Sequence, residues 1–246
     1  MSLYDYLLRL GDNALILSQR LGEWCGHGPV LEEDIALTNV ALDLLGQARL
    51  WLAYAGELTG RDEDQLAFLR DAGEFRNVLL VEQPNGDFAH TIVRQFFFDA
   101  WHHLLLEKLS DSSDERIRGI AAKALKEVTY HLRRGADWMV RLGDGTEESH
   151  SRMENAAGDL WMYTGELFEM DAVEQEMAQS GIGCDLAALR EPWMAQLRAV
   201  FAEAMLEIPK QTWMQHGGKR GVHSEKLGFI LAELQFMQRA YPGAKW

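Results

Sequence analysis

Residues 88–139 read FAHTIVRQFFFDAWHHLLLEKLSDSSDERIRGIAAKALKEVTYHLRRGADWM. Two helical patterns flank the turn-forming run SDSSD, and each has an apolar row that contains ionisable residues. The first row is Phe88, Ile92, Asp99, His102, Leu106 and Leu109. The second row is Ile117, Ala121, Ala124, Val128, His131, Gly135 and Trp138. Because burying a lone charge costs several kcal/mol, we predict that Asp99 and His131 meet as a buried polar pair.

Helical spacing continues over most of the chain, and no stretch alternates with the period of two that is typical of strands. The core helices are expected at 7–24, 32–58, 88–109 and 115–142, and further helices at 153–167, 189–206 and 227–237. Between 60 and 86 the pattern breaks into one or two short helices before the turn QPNG. The sequence therefore predicts an all-α fold, in which a four-helix core with additional C-terminal helices forms a single domain over residues 1–246.

Composition excludes several classes of function. The formal net charge of −14 repels polyanions, so nucleic acid and anionic membranes are not expected as partners. No window has the roughly 18 uninterrupted apolar residues of a membrane span, and the N-terminus lacks the pattern of a secretory signal. Cys25 and Cys184 are too few and too far apart for a disulfide framework. We expect a cytoplasmic protein.

Interior carboxylates and histidines in a helical bundle suggest metal chemistry. A di-iron bundle needs two lone carboxylates and two Glu-x-x-His motifs, because residues at i and i+3 share a helix face. Asp99 and His102 have this spacing, but Glu127 is followed by Tyr130 where a histidine is required. A hydrogen-bonded core pair is therefore the preferred interpretation. The alternative is a metal-dependent oxidase that uses Asp99, His102, Glu127 and His131.

Several short motifs resemble, in the same order along the chain, those of the C subunits of bacterial ring 1,2-phenylacetyl-CoA epoxidases. They are LGDN at 10–13, QRLGEWCGH at 19–27, DLLGQAR at 43–49, VEQPNG at 81–86, KEVTYHL at 126–132, GGKRG at 217–221 and the terminal Trp246. The resemblance implies a ferritin-like subunit of a multicomponent oxygenase in aerobic phenylacetate breakdown. It also implies pairing with a related catalytic A subunit, with other small subunits and the reductase as further candidate partners.

The same resemblance implies that the A subunit, and not this chain, holds a di-iron centre. The six ligand positions of the A subunit correspond here to Ala14, Leu44, Gln47, Asp99, Val128 and His131. Only Asp99 and His131 retain groups suited to iron. We therefore expect a non-catalytic structural subunit with no cofactor and no catalytic residue of its own.

The loop GGKRG contains Lys219 and Arg220 between glycines. Such a loop is able to hold a phosphate or an acidic patch of a partner. Without the context of a known phosphate-binding motif, a solvated turn before the last helix is the favoured interpretation.

Overall fold

The computed structural model describes residues 2–244, so Trp246 lies outside the described residues. This part of the chain contains α-helices and short 3-10 helices but no strand. The α-helices are α1 Ser2–Gly22, α2 Leu31–Glu57, α3 Glu63–Phe68, α4 Phe88–Leu109, α5 Glu115–Gly143, α6 Glu147–Trp161, α7 Ala172–Gln179, α8 Arg190–Glu203, α9 Glu225–Leu234 and α10 Phe236–Ala240. The predicted all-α, ferritin-like class is confirmed, and α1, α2, α4 and α5 are its four long helices.

The described residues divide into two compact units, one of 2–84 with 216–244 and one of 85–215. Each unit is built on one pair of long helices, α1 with α2 and α4 with α5. Short loops connect the two helices of each pair, which is typical of antiparallel neighbours. The single domain over 1–246 stays a prediction.

In the first unit, α1 is buried on nearly all sides, and α2 packs along it. The turn between them is closed by Asp34, whose Oδ2 accepts hydrogen bonds from the backbone N–H groups of Gly26 and Gly28 at 2.8 and 3.0 Å. Asp34 also lies in the first turn of α2, where a negative charge favours the helix dipole. One carboxylate therefore fixes both the turn and the start of α2.

A largely non-helical segment, residues 70–83, is attached to α1 by buried polar contacts. Asp12 forms a salt bridge with Arg70 and accepts the backbone N–H of Arg76 at 2.8 Å. The next residue, Asn13, accepts the backbone N–H of Val78 on its Oδ1 at 2.8 Å. Because these backbone groups have no helix partners, the side chains of α1 supply the acceptors that burial demands.

Glu82 organises the other end of this segment. Its Oε2 accepts hydrogen bonds from Asn77 Nδ2 at 3.0 Å and His223 Nδ1 at 2.8 Å, and its Oε1 accepts the backbone N–H of Ser224 at 2.7 Å. Ser224 in turn caps α9 by accepting a hydrogen bond from the backbone N–H of Lys226. The segment is thus bound to both α1 and the start of α9.

In the second unit, α4 and α5 pack along each other, and α6 and α8 cover them. An aromatic cluster fills the space between α4, α6 and α8. It consists of Phe97, Trp161, Phe168, Trp193 and Phe201. The indole N–H of Trp193 donates to the Phe97 carbonyl at 3.0 Å, so its polar group is satisfied inside the cluster.

The helix limits differ from prediction towards the C-terminus. Helix α6 ends at Trp161 rather than 167 and is followed by a 3-10 turn at Gly165–Phe168, while α7 was not predicted. The last predicted helix is broken at Gln235, whose side-chain amide donates to the carbonyls of Ala67 and Arg70. No helix within 2–244 combines the length and apolar content needed to cross a bilayer.

Candidate functional site

Helix α4 carries the polar residues of the predicted site. It begins after Asp87, whose side chain accepts the backbone N–H of His90, and its middle is a run of three phenylalanines that are all buried. Asp99 follows this run and is fully buried. Its Oδ1 accepts a hydrogen bond from Gln95 Nε2 one turn earlier at 2.8 Å, while its Oδ2 accepts none from residues 2–244. The carboxyl group is therefore only half satisfied.

The partner helix α5 brings two basic groups close to Asp99. His131 and Arg134 are both buried on its inner face, and both act electrostatically on the carboxyl group. Asp99 makes no direct hydrogen bond to His131. Burial raises the pKa of Asp99 to about 6, against the opposing effects of His131, the Gln95 hydrogen bond and Arg134. The predicted pair is thus within electrostatic range, but desolvation is the largest influence on the acid.

His102 lies one turn beyond Asp99 and is also buried. Its ring packs against Phe98 and Trp101, with centroid separations of 5.0 and 6.3 Å. Burial lowers the pKa of His102 to about 3, with smaller electrostatic contributions from His131 and His103. His102 is therefore a neutral imidazole at neutral pH. His103 is only partly exposed, and its Nδ1 lies 3.8 Å from Glu107 Oε2.

The four other positions that the resemblance matches to iron ligands are buried as well. Ala14 lies in α1, Leu44 and Gln47 in α2, and Val128 in α5, each with 1% or less of its surface exposed. Three of them have no donor atom, and Gln47 has a neutral amide. These four residues therefore lie in the interior of the protein, as the resemblance implies.

The donor chemistry of these residues does not fit a pair of iron ions. A di-iron site in a helical bundle uses four carboxylates and two histidines, and the ligands must be available in the deprotonated form. Here one carboxyl group has a raised pKa, and Val128 replaces the residue that would complete a motif with His131. Within residues 2–244 no three His, Cys, Asp or Glu side chains come together to hold a metal. Asp99, His102, Glu127 and His131 are accordingly not assembled as a ligand set.

Two features of this unit were not predicted from the sequence. Arg134 is buried one turn after His131, although arginine is normally a surface residue. The only sequence signal for its burial is that it lies three residues after His131, on the same face of α5. Glu147 and His150 form a Glu-x-x-His spacing outside the four core helices. They lie at the start of α6, where His150 contacts the Gly143 carbonyl at 2.7 Å and Glu154 at 3.5 Å.

The loop at 217–221 is held by close backbone packing. A Cβ at Gly218 would lie 2.2 Å from the Asn77 carbonyl oxygen, and one at Gly221 would lie 2.2 Å from that of Gly73. Gly221 also has φ 79°, the left-handed region that favours glycine. Lys219 is buried and Arg220 is exposed. The glycines therefore have a packing role, and phosphate binding by Lys219 and Arg220 stays a prediction.

The positions that the resemblance matches to iron ligands thus lie inside an all-α protein and mostly lack suitable donor atoms. The chain belongs to the phenylacetic acid catabolic protein family, whose sequence model matches residues 1–246. It is similar to a curated protein of Escherichia coli (strain K12), the C subunit of 1,2-phenylacetyl-CoA epoxidase. The two are 53% identical over 242 residues, which cover 98% of each chain. The resemblance identified from the short motifs is confirmed.

Proposed function

We propose that this chain is the non-catalytic structural subunit of a multicomponent ring 1,2-phenylacetyl-CoA epoxidase. In this role it binds and stabilises the catalytic A subunit during aerobic phenylacetate breakdown. The similarity to the C subunit of such an epoxidase over nearly the full length supports membership of the complex. The proposed location is the cytoplasm, and other small subunits and the reductase are proposed as further partners.

The non-catalytic part of the proposal rests on one observation. Most positions that the resemblance matches to iron ligands have side chains without suitable donor atoms. Ala14, Leu44 and Val128 are buried and offer no donor atom, and burial raises the pKa of Asp99 to about 6. Placing two iron ions beside one acid and His131 would leave much positive charge uncompensated in a dry interior. We therefore propose that iron is held by the A subunit alone. The chain then contributes a folded surface to the complex.

The test is to co-express the A subunit with and without this chain and to measure its solubility and the turnover of phenylacetyl-CoA with the reductase present. We expect soluble, active A subunit only in the presence of this chain. Full turnover by the A subunit alone would contradict the structural role.

A variant complex separates structural support from chemistry. Complexes carrying Asp99→Asn in this chain are expected to keep the wild-type kcat. A fall of about 100-fold or more, which is typical for loss of an acid or base that acts in the reaction, would mean that this chain takes part in catalysis.

A further inference from the structure

One face of α2 is apolar and open to solvent. We call this face the α2 surface; it consists of Leu31, Ile35, Thr38, Leu42, Leu45 and Gly46. Steps of three, four and seven residues place these side chains in one row, about 22 Å long at 1.5 Å per residue. Leu31 is 71% exposed, Ile35 53% and Leu42 59%. A continuous apolar row of this length on a protein surface marks a site of interaction.

The opposite face of α2 already packs in the interior. Its buried residues include Leu37, Val40, Leu44, Gln47, Ala48 and Trp51. Helix α2 is thus apolar on two faces, whereas a surface helix has one apolar and one polar face. The folding of this chain covers only one of the two faces.

Gly46 gives the α2 surface a point of close approach. It lies in the interior of a helix, where glycine is less favourable than alanine. A Cβ added there would have nothing within 4 Å, so packing inside the chain does not require glycine. Small residues at a helix surface allow another backbone to come near. The position therefore suits a helix that packs against α2 from outside.

A cavity of about 240 Å³ opens beside Leu45. Its walls are mainly apolar and come from α1, α2, α3 and α9. They are formed by Leu15, Leu45, Ala48, Leu52, Ala67, Phe68 and Leu234. Sites for small molecules and cofactors usually have volumes of roughly 300–1,000 Å³. The smaller cavity fits a single bulky side chain, and its rim carries Arg49, which contacts Glu63 at 3.4 Å.

Charge selects the occupant. The N-terminal end of α2 carries Glu32, Glu33 and Asp34, and Asp43 follows further along the helix. Arg49 is the only basic residue of α2. A second copy of this chain, also at −14, would bring like charges together. A different protein with an apolar helix and basic residues at the edge of its contact surface is favoured.

We infer that the α2 surface is the docking site of the catalytic subunit, an inference that rests on the proposed function. The catalytic subunit presents an apolar helix face to Leu31, Ile35 and Leu42. It approaches most closely at Gly46 and places a bulky apolar side chain in the cavity beside Leu45. Basic residues of the partner face the acidic end of α2. Binding therefore weakens with increasing salt, but the apolar row keeps it from vanishing.

The experiment measures the Kd between the full-length chain and the catalytic subunit. Leu42→Glu places a charge in the middle of the row at an exposed position, and is expected to weaken binding about 30-fold or more. Phe229→Glu is the matched control, because Phe229 is 65% exposed on α9 in the same unit. Its Kd is expected to stay at the wild-type value.

Gly46→Gln separates docking from folding. Glutamine is a better helix former than glycine, and a Cβ at this position has no atom within 4 Å, so the Tm is expected to rise. The longer side chain blocks close approach, so binding is expected to weaken about tenfold. Gly119→Gln on α5 is the control, since Gly119 is also exposed with open space around it. It is expected to raise the Tm without changing the Kd.

The outcomes separate this inference from the function on which it rests. If the wild-type chain does not bind the catalytic subunit, the proposed function fails. If it binds and both α2 variants bind equally well, the inference alone fails. Self-association of the chain that Leu42→Glu abolishes, with binding of the catalytic subunit unchanged, would assign the α2 surface to a second copy and also overturn the inference.

Discussion

The two units each bury an aspartate on a long helix, and they treat it in opposite ways. Asp12 and Asp99 are both 0% exposed. Asp12 has a salt bridge with Arg70 and accepts the backbone N–H of Arg76, so both of its oxygens are satisfied. Asp99 has one hydrogen bond from Gln95, and burial raises its pKa to about 6. The fold thus gives the Asp12 carboxylate partners for both oxygens, whereas it gives the Asp99 carboxyl group a partner for only one.

The buried histidines differ in the same way. Both ring nitrogens of His223 face acceptors, Glu82 Oε2 at 2.8 Å and the Phe75 carbonyl at 3.0 Å. Burial opposes a charge on the ring, but these two acceptors favour its protonated form and raise the pKa of His223. His102 lies among aromatic rings, and burial lowers its pKa to about 3. The surroundings of His223 therefore favour a charged ring, whereas those of His102 disfavour one.

The largest effect is expected from Asp12→Asn. The change removes the negative charge and leaves Arg70 buried without its counter-ion, which costs about 3–5 kcal/mol for a pair of this kind. The free energy of unfolding from urea titration measures it. Arg49→Met, which breaks the solvent-exposed pair with Glu63, is the control and is expected to change stability by less than about 1 kcal/mol.

Asp99→Asn is expected to stabilise the fold, whereas Asp12→Asn destabilises it. The pKa of Asp99 is raised from 3.8 to about 6, so the folded state binds more protons than the unfolded state between these values. Stability is therefore lost as the pH rises from about 4 to 6, and the variant avoids this loss. At pH 7 it should be more stable than the wild type by up to about 3 kcal/mol. A clear destabilisation at pH 7 would mean that Asp99 is well satisfied, and the contrast with Asp12 would disappear.

His102→Leu tests how stability depends on pH below neutrality. The folded pKa of His102 is lowered from 6.5 to about 3, so the unfolded state binds the extra proton as the pH falls below 6.5. The wild type should lose about 2 kcal/mol through this group by pH 5, and the variant should not. The comparison is of unfolding free energies at pH 7 and pH 5. Equal pH dependence in the two proteins would count against a neutral, buried imidazole.

His223→Gln should change the pH dependence on the alkaline side, and this is the smallest effect. Burial opposes the charge, but the hydrogen bond and charge of Glu82 and the Phe75 carbonyl outweigh it and raise the pKa of His223. The stabilisation is fully present below pH 6.5 and is lost as the pH rises through the raised value. His90, between Asp87 and Asp159, also has a raised pKa, so the difference between wild type and variant is the quantity to measure. If the variant has the same pH dependence of stability as the wild type, a raised pKa of His223 is contradicted.

Local patterns predicted the long helices well. Helix α4 runs over Phe88–Leu109 as expected, because a mainly apolar row decides its face and the capping Asp87 decides its start. The burial of Asp99 and His131 followed from the same rows. The break at Gln235 did not, because it depends on carbonyl groups more than 160 residues away in sequence.

Local sequence patterns also could not predict the polar contacts of the interior. Asp12 and Arg70 are 58 residues apart, and nothing in either neighbourhood indicates the other. The motif LGDN was recognised only as part of a resemblance, whereas the structure gives Asp12 and Asn13 a role in holding the segment 70–83. Likewise, GGKRG was interpreted as a solvated turn, with phosphate binding as the alternative, but Gly217, Gly218 and Lys219 are buried. The backbone of Gly73 and Asn77 explains the glycines. Such contacts require the tertiary arrangement.

Iron analysis of the isolated, purified chain tests the central claim most directly. The chain would be expressed in iron-supplemented medium and compared with Asp99→Asn. The account predicts substoichiometric iron that is the same in both proteins, because the interior lacks the ligands for a metal pair. Two iron ions per wild-type chain, lost in Asp99→Asn, would contradict it.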